Sequence, residues 1–241
     1  PPDALSVEGQ RWGNPLYNWT TQKARGFDWW IARMERMLDL FDIIRVDHFR
    51  AFAGFWEIDA KEETAVNGRW VSAPGHDLFR TFANEMPKAP IVAEDLGLIT
   101  PDVDELRLAF DLPGMKIVQF EIGEHPIDEN KLPVNYPERS VTYIGTHDNS
   151  TALGWYKTLN EEIKTSVDAL IGADLAPNWA LTRLALGAGS SLVVHQLQDI
   201  LGLDDTARMN VPGVSEGNWH WRFEAEDLTQ EAIEHLSTLT A

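Results

Sequence analysis

Cysteine is absent from the 241 residues. That excludes a disulfide scaffold, a thiolate metal site and a thiol nucleophile, and it fits a reducing compartment. No run of about 18 apolar residues occurs, so no membrane-spanning helix is expected. Positive charge is scarce: 20 Lys and Arg stand against 38 Asp and Glu, a formal net charge of −18. Such a balance repels nucleic acid and anionic membrane surfaces, and it suits a neutral or cationic substrate. These features lead to the expectation of a cytoplasmic protein. Internal repeats, low-complexity tracts and a linker that would divide the chain are also missing. The opening "PPDALS" has no Met and reads as the interior of a longer protein.

What is present is a hydrophobic fraction of 44%, enough for a sizeable core. The ten Trp either fill that core or offer flat faces for sugar rings, and composition alone favours core filling. Residues 1–19 carry Pro, Gly, Asn and aromatics without periodicity, as a loop does. Trp30, Met34, Met37 and Phe41 recur at spacings of three and four, which predicts an amphipathic helix over 27–41. "DIIRVDHF" follows as a strand. The alternation continues through a helix in "HDLFRTFANEM", a strand in "APIVAEDLG", and a helix in "TPDVDELRLAF", opened by Thr and Pro. "GMKIVQF" and "SVTYIGTHDN" read as strands, separated by a loop over 121–138. A helical region over about 151–188 precedes the strand in "SSLVVHQLQDIL". A loop and a last helix, about 227–239, close the chain. Strands near 43–47, 90–94, 115–119, 141–145 and 190–195, alternating with helices, predict an α/β fold with a parallel sheet.

Three of these strands end in acid. Asp47 follows "IIRV", Glu94 and Asp95 follow "IVA", and His147 and Asp148 follow "TYIGT". In parallel α/β folds the C-terminal strand ends carry the active site, so the acids are expected to converge. Paired carboxylates suit glycosidic bond cleavage, with one acid protonating the leaving oxygen and one carboxylate attacking the anomeric carbon. They equally suit Mg²⁺ or Ca²⁺. Singly, each motif has a plainer reading. An Asp at a strand end is commonly a cap or turn residue, Arg45 a structural ion-pair partner, His48 a satisfied core histidine, and Asp95 turn chemistry. Three such endings in order are hard to explain as unrelated turns.

"GFWEI", "IVAEDLG" and "GTHDNST", with the loops "PPDALSVEGQRWGNPLYNW" and "RMNVPGVSEGNWHWR", resemble the amylomaltase (4-α-glucanotransferase) family of the α-amylase-like (β/α)₈ barrel enzymes. The resemblance runs from Pro1 to about Phe223. It implies that residues 1–241 form the C-terminal portion of one catalytic TIM-barrel domain, about strands 4 to 8, with the N-terminal strands missing. Such a portion would have raw sheet edges and is expected to be poorly stable or inactive alone. The resemblance implies a nucleophile at Asp47, a general acid/base at Glu94, and at Asp148 the acid that stabilises the distorted, oxocarbenium-like sugar. Arg45 would hold Asp47 by charge-assisted hydrogen bonds. His48 and His147 would bind sugar hydroxyls, with Asn149 shaping the same motif. Gln10 and Trp12 match a loop over the substrate groove. Asn218, with Trp219 beside it, is expected near the active face. The implied partners are maltooligosaccharide or α-1,4-glucan donors and acceptors, with no cofactor and no metal.

Two positions depart from the family pattern, Val214 where Thr is common and Ser150 where Asp is common. Both leave the three carboxylates intact and touch only finer subsite contacts. Three rivals remain open at this level. A hydrolytic α-amylase-type enzyme would share the three acids. A glucan-binding remnant would keep the aromatics without needing all three acids. A carboxylate metalloenzyme would lose activity to EDTA.

Overall fold

The computed structural model describes residues 1–2, 7–97 and 99–240. Residues 3–6 of the N-terminal loop and Leu98 in the segment after "AED" lie outside the described residues. The chain forms two compact units, Pro1–Gly114 and Met115–Ala241.

In the first unit a short helix α1 (Trp19–Ala24) is capped by the Asn18 side chain and leads into α2 (Asp28–Leu38). α2 buries Trp30 and Met34, four residues apart on one face. It ends before Phe41, which the periodicity had included and which is exposed. Strand β1 (Ile44–Val46) follows, then a 3₁₀ turn over Phe49–Phe52. A hairpin of β2 (Gly54–Ile58) and β3 (Gly68–Ser72) pairs antiparallel, with Trp56 opposite Trp70. Helix α3 (Gly75–Glu85), strand β4 (Ile91–Ala93) and helix α4 (Pro101–Ala109) complete the unit. β1 and β4 are parallel neighbours, with Arg45 opposite Val92 and Val46 opposite Ala93.

The core of this unit gathers Trp30, Phe49, Phe52, Phe79, Phe82 and Leu106. Phe52 and Phe79 meet edge to face at 5.4 Å, a favoured aromatic geometry. α3 starts hard against the 3₁₀ turn, since a Cβ on Gly75 would lie 2.2 Å from the Phe52 carbonyl oxygen. Only glycine fits there.

Strand β5 (Gly114–Ile117) starts at the last residue of the first unit and continues at once into a helix of the second, α5 (Val118–Ile122). The sequence predicts one strand over Gly114–Phe120 and a loop from Glu121. So short a run carries no period that separates strand from helix, and Phe120, inside α5, is exposed. Strand β6 (Ser140–Tyr143) precedes three helices, α6 (Ala152–Thr158), α7 (Glu161–Ile171) and α8 (Pro177–Leu186). β7 (Leu192–Val194), a single turn α9 (Leu197–Ile200) and α10 (Gln230–Thr240) end the chain. The sheet order is β5-β6-β7, and β6 runs parallel to β7 with Thr142 opposite Val193. Its core holds Val118, Ile122, Ile144, Val167 and Leu181. Among the described residues no helix is long and apolar enough to cross a membrane.

Candidate active site

The first unit brings Asp47 and Glu94 to equivalent places. Each follows the last residue of its strand, and those residues, Val46 and Ala93, are paired. The crossing is stitched by backbone bonds: Glu94 N–H donates to Val46 O at 2.9 Å and Phe49 N–H to Glu94 O at 3.0 Å. Between them His48 adopts a left-handed conformation, φ 48° and ψ 51°. A non-glycine residue there carries about 1–2 kcal/mol of strain. The turn aims the His48 N–H at Glu94 Oε2, 2.7 Å away, while Leu96 N–H donates to Oε1 at 2.9 Å. Both oxygens of Glu94 are therefore fixed by main chain. The His48 ring itself is exposed.

Arg45 Nη2 lies 2.8 Å from Asp47 Oδ1. The Arg45 side chain is 30% exposed and that of Asp47 73%. An ion pair this open contributes at most about 1 kcal/mol to stability. Its consequence is orientation: a guanidinium anchored in the strand holds one oxygen of a carboxylate that otherwise faces solvent. Asp95, the other acid of the motif, behaves differently. It is largely buried and pairs with Arg107 Nε at 3.1 Å. A Cβ on Gly114 would sit 2.3 Å from Asp95 Oδ2. Asp95 thus holds α4 through Arg107 and packs against Gly114, the last residue of the first unit. Gln10 and Trp12 are exposed in the N-terminal loop, Trp12 at 60%. That loop leans on the hairpin, with Arg11 Nη2 donating to Ala60 O at 3.2 Å and Ala65 N–H to Glu8 O at 3.0 Å.

The second unit carries His147, Asp148 and Asn149 in a tight turn beyond β6. Asn149 Oδ1 accepts from both the N–H and Oγ1 of Thr146, each at 2.8 Å, which closes the turn. His147 Nε2 lies 3.3 Å from Asp148 Oδ2. Asn210 Nδ2 donates to Asp148 Oδ1 at 2.6 Å. Arg208 donates to the Asp148 carbonyl through Nη2, to Ser150 Oγ at 3.4 Å, and to Asn210 O through Nε at 2.9 Å. The same turn is held further along by two more acids. Asp199 Oδ1 accepts from Ala152 N–H at 2.7 Å, and Asp205 Oδ1 from Thr151 N–H at 3.0 Å. Asp199 is fully buried, and burial pushes its carboxyl up to about 6.

Asn218 spends its amide on its own loop: Oδ1 accepts from Val211 N–H at 2.9 Å, and Nδ2 donates to Val214 O at 2.8 Å. Trp219, next to it, is 52% exposed in a left-handed conformation, φ 64°, with its ring 5.2 Å from that of His147. Sequence reasoning singled out the loop containing Arg208 and Asn210 without assigning either residue a role. The available signal was the charged-apolar-polar triplet "RMN" beside a Pro-Gly turn. Among the described residues no group of three or more His, Asp or Glu is placed to hold a metal ion.

Carboxylates on adjacent parallel strand ends, each oriented by fixed donors, have the equipment of an acid-and-nucleophile pair on a glycosidic bond. The comparisons give that class a family. The family model described as 4-alpha-glucanotransferase matches residues 1–229. The chain belongs to the 4-alpha-glucanotransferase family. It is 45% identical to the 4-alpha-glucanotransferase of Thermus thermophilus over 96% of this chain and 48% of that protein. It is 44% identical to the chloroplastic/amyloplastic 4-alpha-glucanotransferase of Solanum tuberosum over 92% of this chain and 39% of that one. Its fold matches the amylomaltase of Streptococcus agalactiae, solved in complex with acarbose, with a TM-score of 0.96 and 36% identity. That match covers all of this chain and 49% of the other. The chain spans about half the length, or less, of the relatives it matches.

Proposed function

We propose that the whole protein transfers α-1,4-glucan segments between maltooligosaccharides by a retaining double displacement. The observation that carries this reading is the register of β1 against β4. It sets Asp47 and Glu94 at the same level of adjoining parallel strands. Neighbouring strands lie about 4.8 Å apart. A retaining pair of carboxyl groups needs about 5–5.5 Å. Strand spacing thus starts the two side chains at roughly the separation that retention requires of their carboxyl groups, and the family membership supplies the substrate class.

In this reading Glu94 gives its proton to the leaving glucan oxygen while Asp47 attacks the anomeric carbon. The C–O bond to the leaving chain breaks as the bond to Asp47 forms. An acceptor hydroxyl then loses its proton to Glu94 and attacks the same carbon, expelling the Asp47 carboxylate. Arg45 orients Asp47. Asp148 stabilises the positive charge on the sugar ring, a role that rests on the family motif. His48 and His147 bind sugar hydroxyls. Asn149 acts by closing its turn, and Asn218 by shaping the loop that presents Trp219. Gln10 and Trp12 border the acceptor, where exclusion of water favours transfer over hydrolysis.

The finer architecture belongs to the same proposal. β1, β4, β5, β6 and β7 stand for strands 4 to 8 of a (β/α)₈ barrel, within one catalytic domain whose earlier strands lie elsewhere in the whole protein. A cytoplasmic location goes with it. The test is to incubate the whole protein with maltotriose and follow the products by proton NMR. New α-1,4 linkages with the α configuration retained from the first turnover are expected. A newly formed β-glucosidic linkage would overturn the double displacement.

A further inference from the structure

The acid at position 148 is held by residues that lie outside all three acid-bearing strand ends. Its carboxylate Oδ1 accepts from the amide of Asn210 at 2.6 Å, and the Asn210 N–H donates to His147 O at 3.1 Å. The Arg208 guanidinium spans both ends of that contact. One arm donates to the main-chain oxygen of Asp148, and Nε donates to the main-chain oxygen of Asn210 at 2.9 Å. The backbone of the donor residue and that of the acceptor residue are therefore fastened to one rigid planar fork.

We propose that Arg208 and Asn210 are positioning residues that fix the rotamer of Asp148, a proposal that rests on the reading of Asp148 as the acid facing the sugar. An ionised carboxylate accepts only, and an asparagine amide has a donor end that adds no charge. Asn210 thus orients Oδ1 without cancelling the negative charge that would face an oxocarbenium-like sugar. Arg208 supplies the rigidity from behind, with its cation directed at main-chain carbonyls instead of the Asp148 carboxylate. A lysine or arginine at this position would orient the carboxylate equally well but neutralise it. On the other side of the Asp148 carboxylate stands the titratable His147, whose Nε2 is 3.3 Å from Oδ2. One oxygen is thereby given to the amide and the other to the imidazole.

The test uses Asn210→Asp in the whole protein, because the side chains are nearly isosteric. Two carboxylates at hydrogen-bond distance share one proton, and their titrations couple. At acidic pH the protonated carboxyl introduced by this substitution donates as the amide did, and at neutral pH the donor is lost. Transfer from maltotriose is expected to approach wild type at the acid end of the profile. It is expected to fall at least tenfold by pH 7, moving the alkaline limb acidward by one unit or more. Asn210→Ala is expected to lower kcat at every pH with the limb unmoved and KM within about twofold. Arg208→Lys keeps the charge but not the fork and is expected to lower kcat similarly, with the thermal transition retained. An Asn210→Asp profile of wild-type shape overturns the proposal. A fully active Asp148→Asn variant would instead overturn the reading of the site, so the two failures are distinguishable.

Discussion

The main-chain N–H of His48 donates to Glu94 Oε2 at 2.7 Å from a left-handed backbone. The residue beside the proposed nucleophile thus holds the proposed acid/base through its peptide group, whatever its ring does. His48→Gly keeps the donor and relieves the strained φ, so its stability is expected to stay within about 1 kcal/mol of wild type. Its defect should lie in substrate binding, read as a raised KM. His48→Val forces a β-branched residue into the same region and is expected to cost about 1–2 kcal/mol. Urea midpoints separate the two. Equal stability of Val and Gly variants would remove strain from the account.

Arg45→Lys retains a charge but gives up the guanidinium fork that meets Asp47 at 2.8 Å. Loss of one preorganised electrostatic contact commonly reduces turnover on the order of 100-fold. The open ion pair itself contributes about 1 kcal/mol or less to stability. Steady-state transfer from maltotriose should therefore fall far more than the melting temperature does. A large melting shift with normal turnover would make Arg45 a structural residue.

Trp12 stands exposed in the N-terminal loop. Trp12→Ala is expected to raise free-glucose release relative to chain elongation by severalfold, since water then competes better for the glycosyl-enzyme. Product ratios at fixed maltotriose check this. An unchanged ratio removes Trp12 from acceptor binding.

Asp199 sets a pH signature on stability. Burial raises its carboxyl from 3.8 to about 6 in the folded state. Between roughly pH 4 and 6 the native protein holds a proton that the unfolded chain has released. The contribution of this group is therefore fully present below about 4 and is lost as pH rises through 6. Two units correspond to roughly 3 kcal/mol as an upper figure. Asp199→Asn cannot ionise, so its stability relative to wild type should improve between pH 4 and pH 8 by about 2–3 kcal/mol. Urea unfolding at both pH values measures it. A constant difference would mean that Asp199 ionises as readily inside the protein as outside.

Much of the fold could be read from the sequence because its strands are short apolar runs, two of them followed directly by an acid. Ile44–Val46 and Ile91–Ala93 are such runs, and Asp47 and Glu94 mark their exits. The β2–β3 hairpin escaped notice. Its strands "GFWEI" and "GRWVS" are joined by a long polar loop, and its Asn67-Gly68 pair opens β3 where a tight turn would have centred on it. Val118–Phe120 read as strand because so short an apolar run carries no period that separates strand from helix. In the site, the acids were legible from their places. Their supports were not, since Arg208 and Asn210 reach Asp148 across about sixty residues, a separation that no local pattern encodes.

Glycosyl transfer by the Asp47–Glu94 pair is the proposed chemistry of the site. Its most direct test is to incubate the whole protein with maltotriose, beside its Glu94→Gln variant, and resolve the products by length. Glucose together with a ladder of chains longer than maltotriose, lost in the variant by at least a hundredfold, is the predicted result. Glucose and maltose alone, with no longer chain, or a ladder that survives Glu94→Gln, would contradict it.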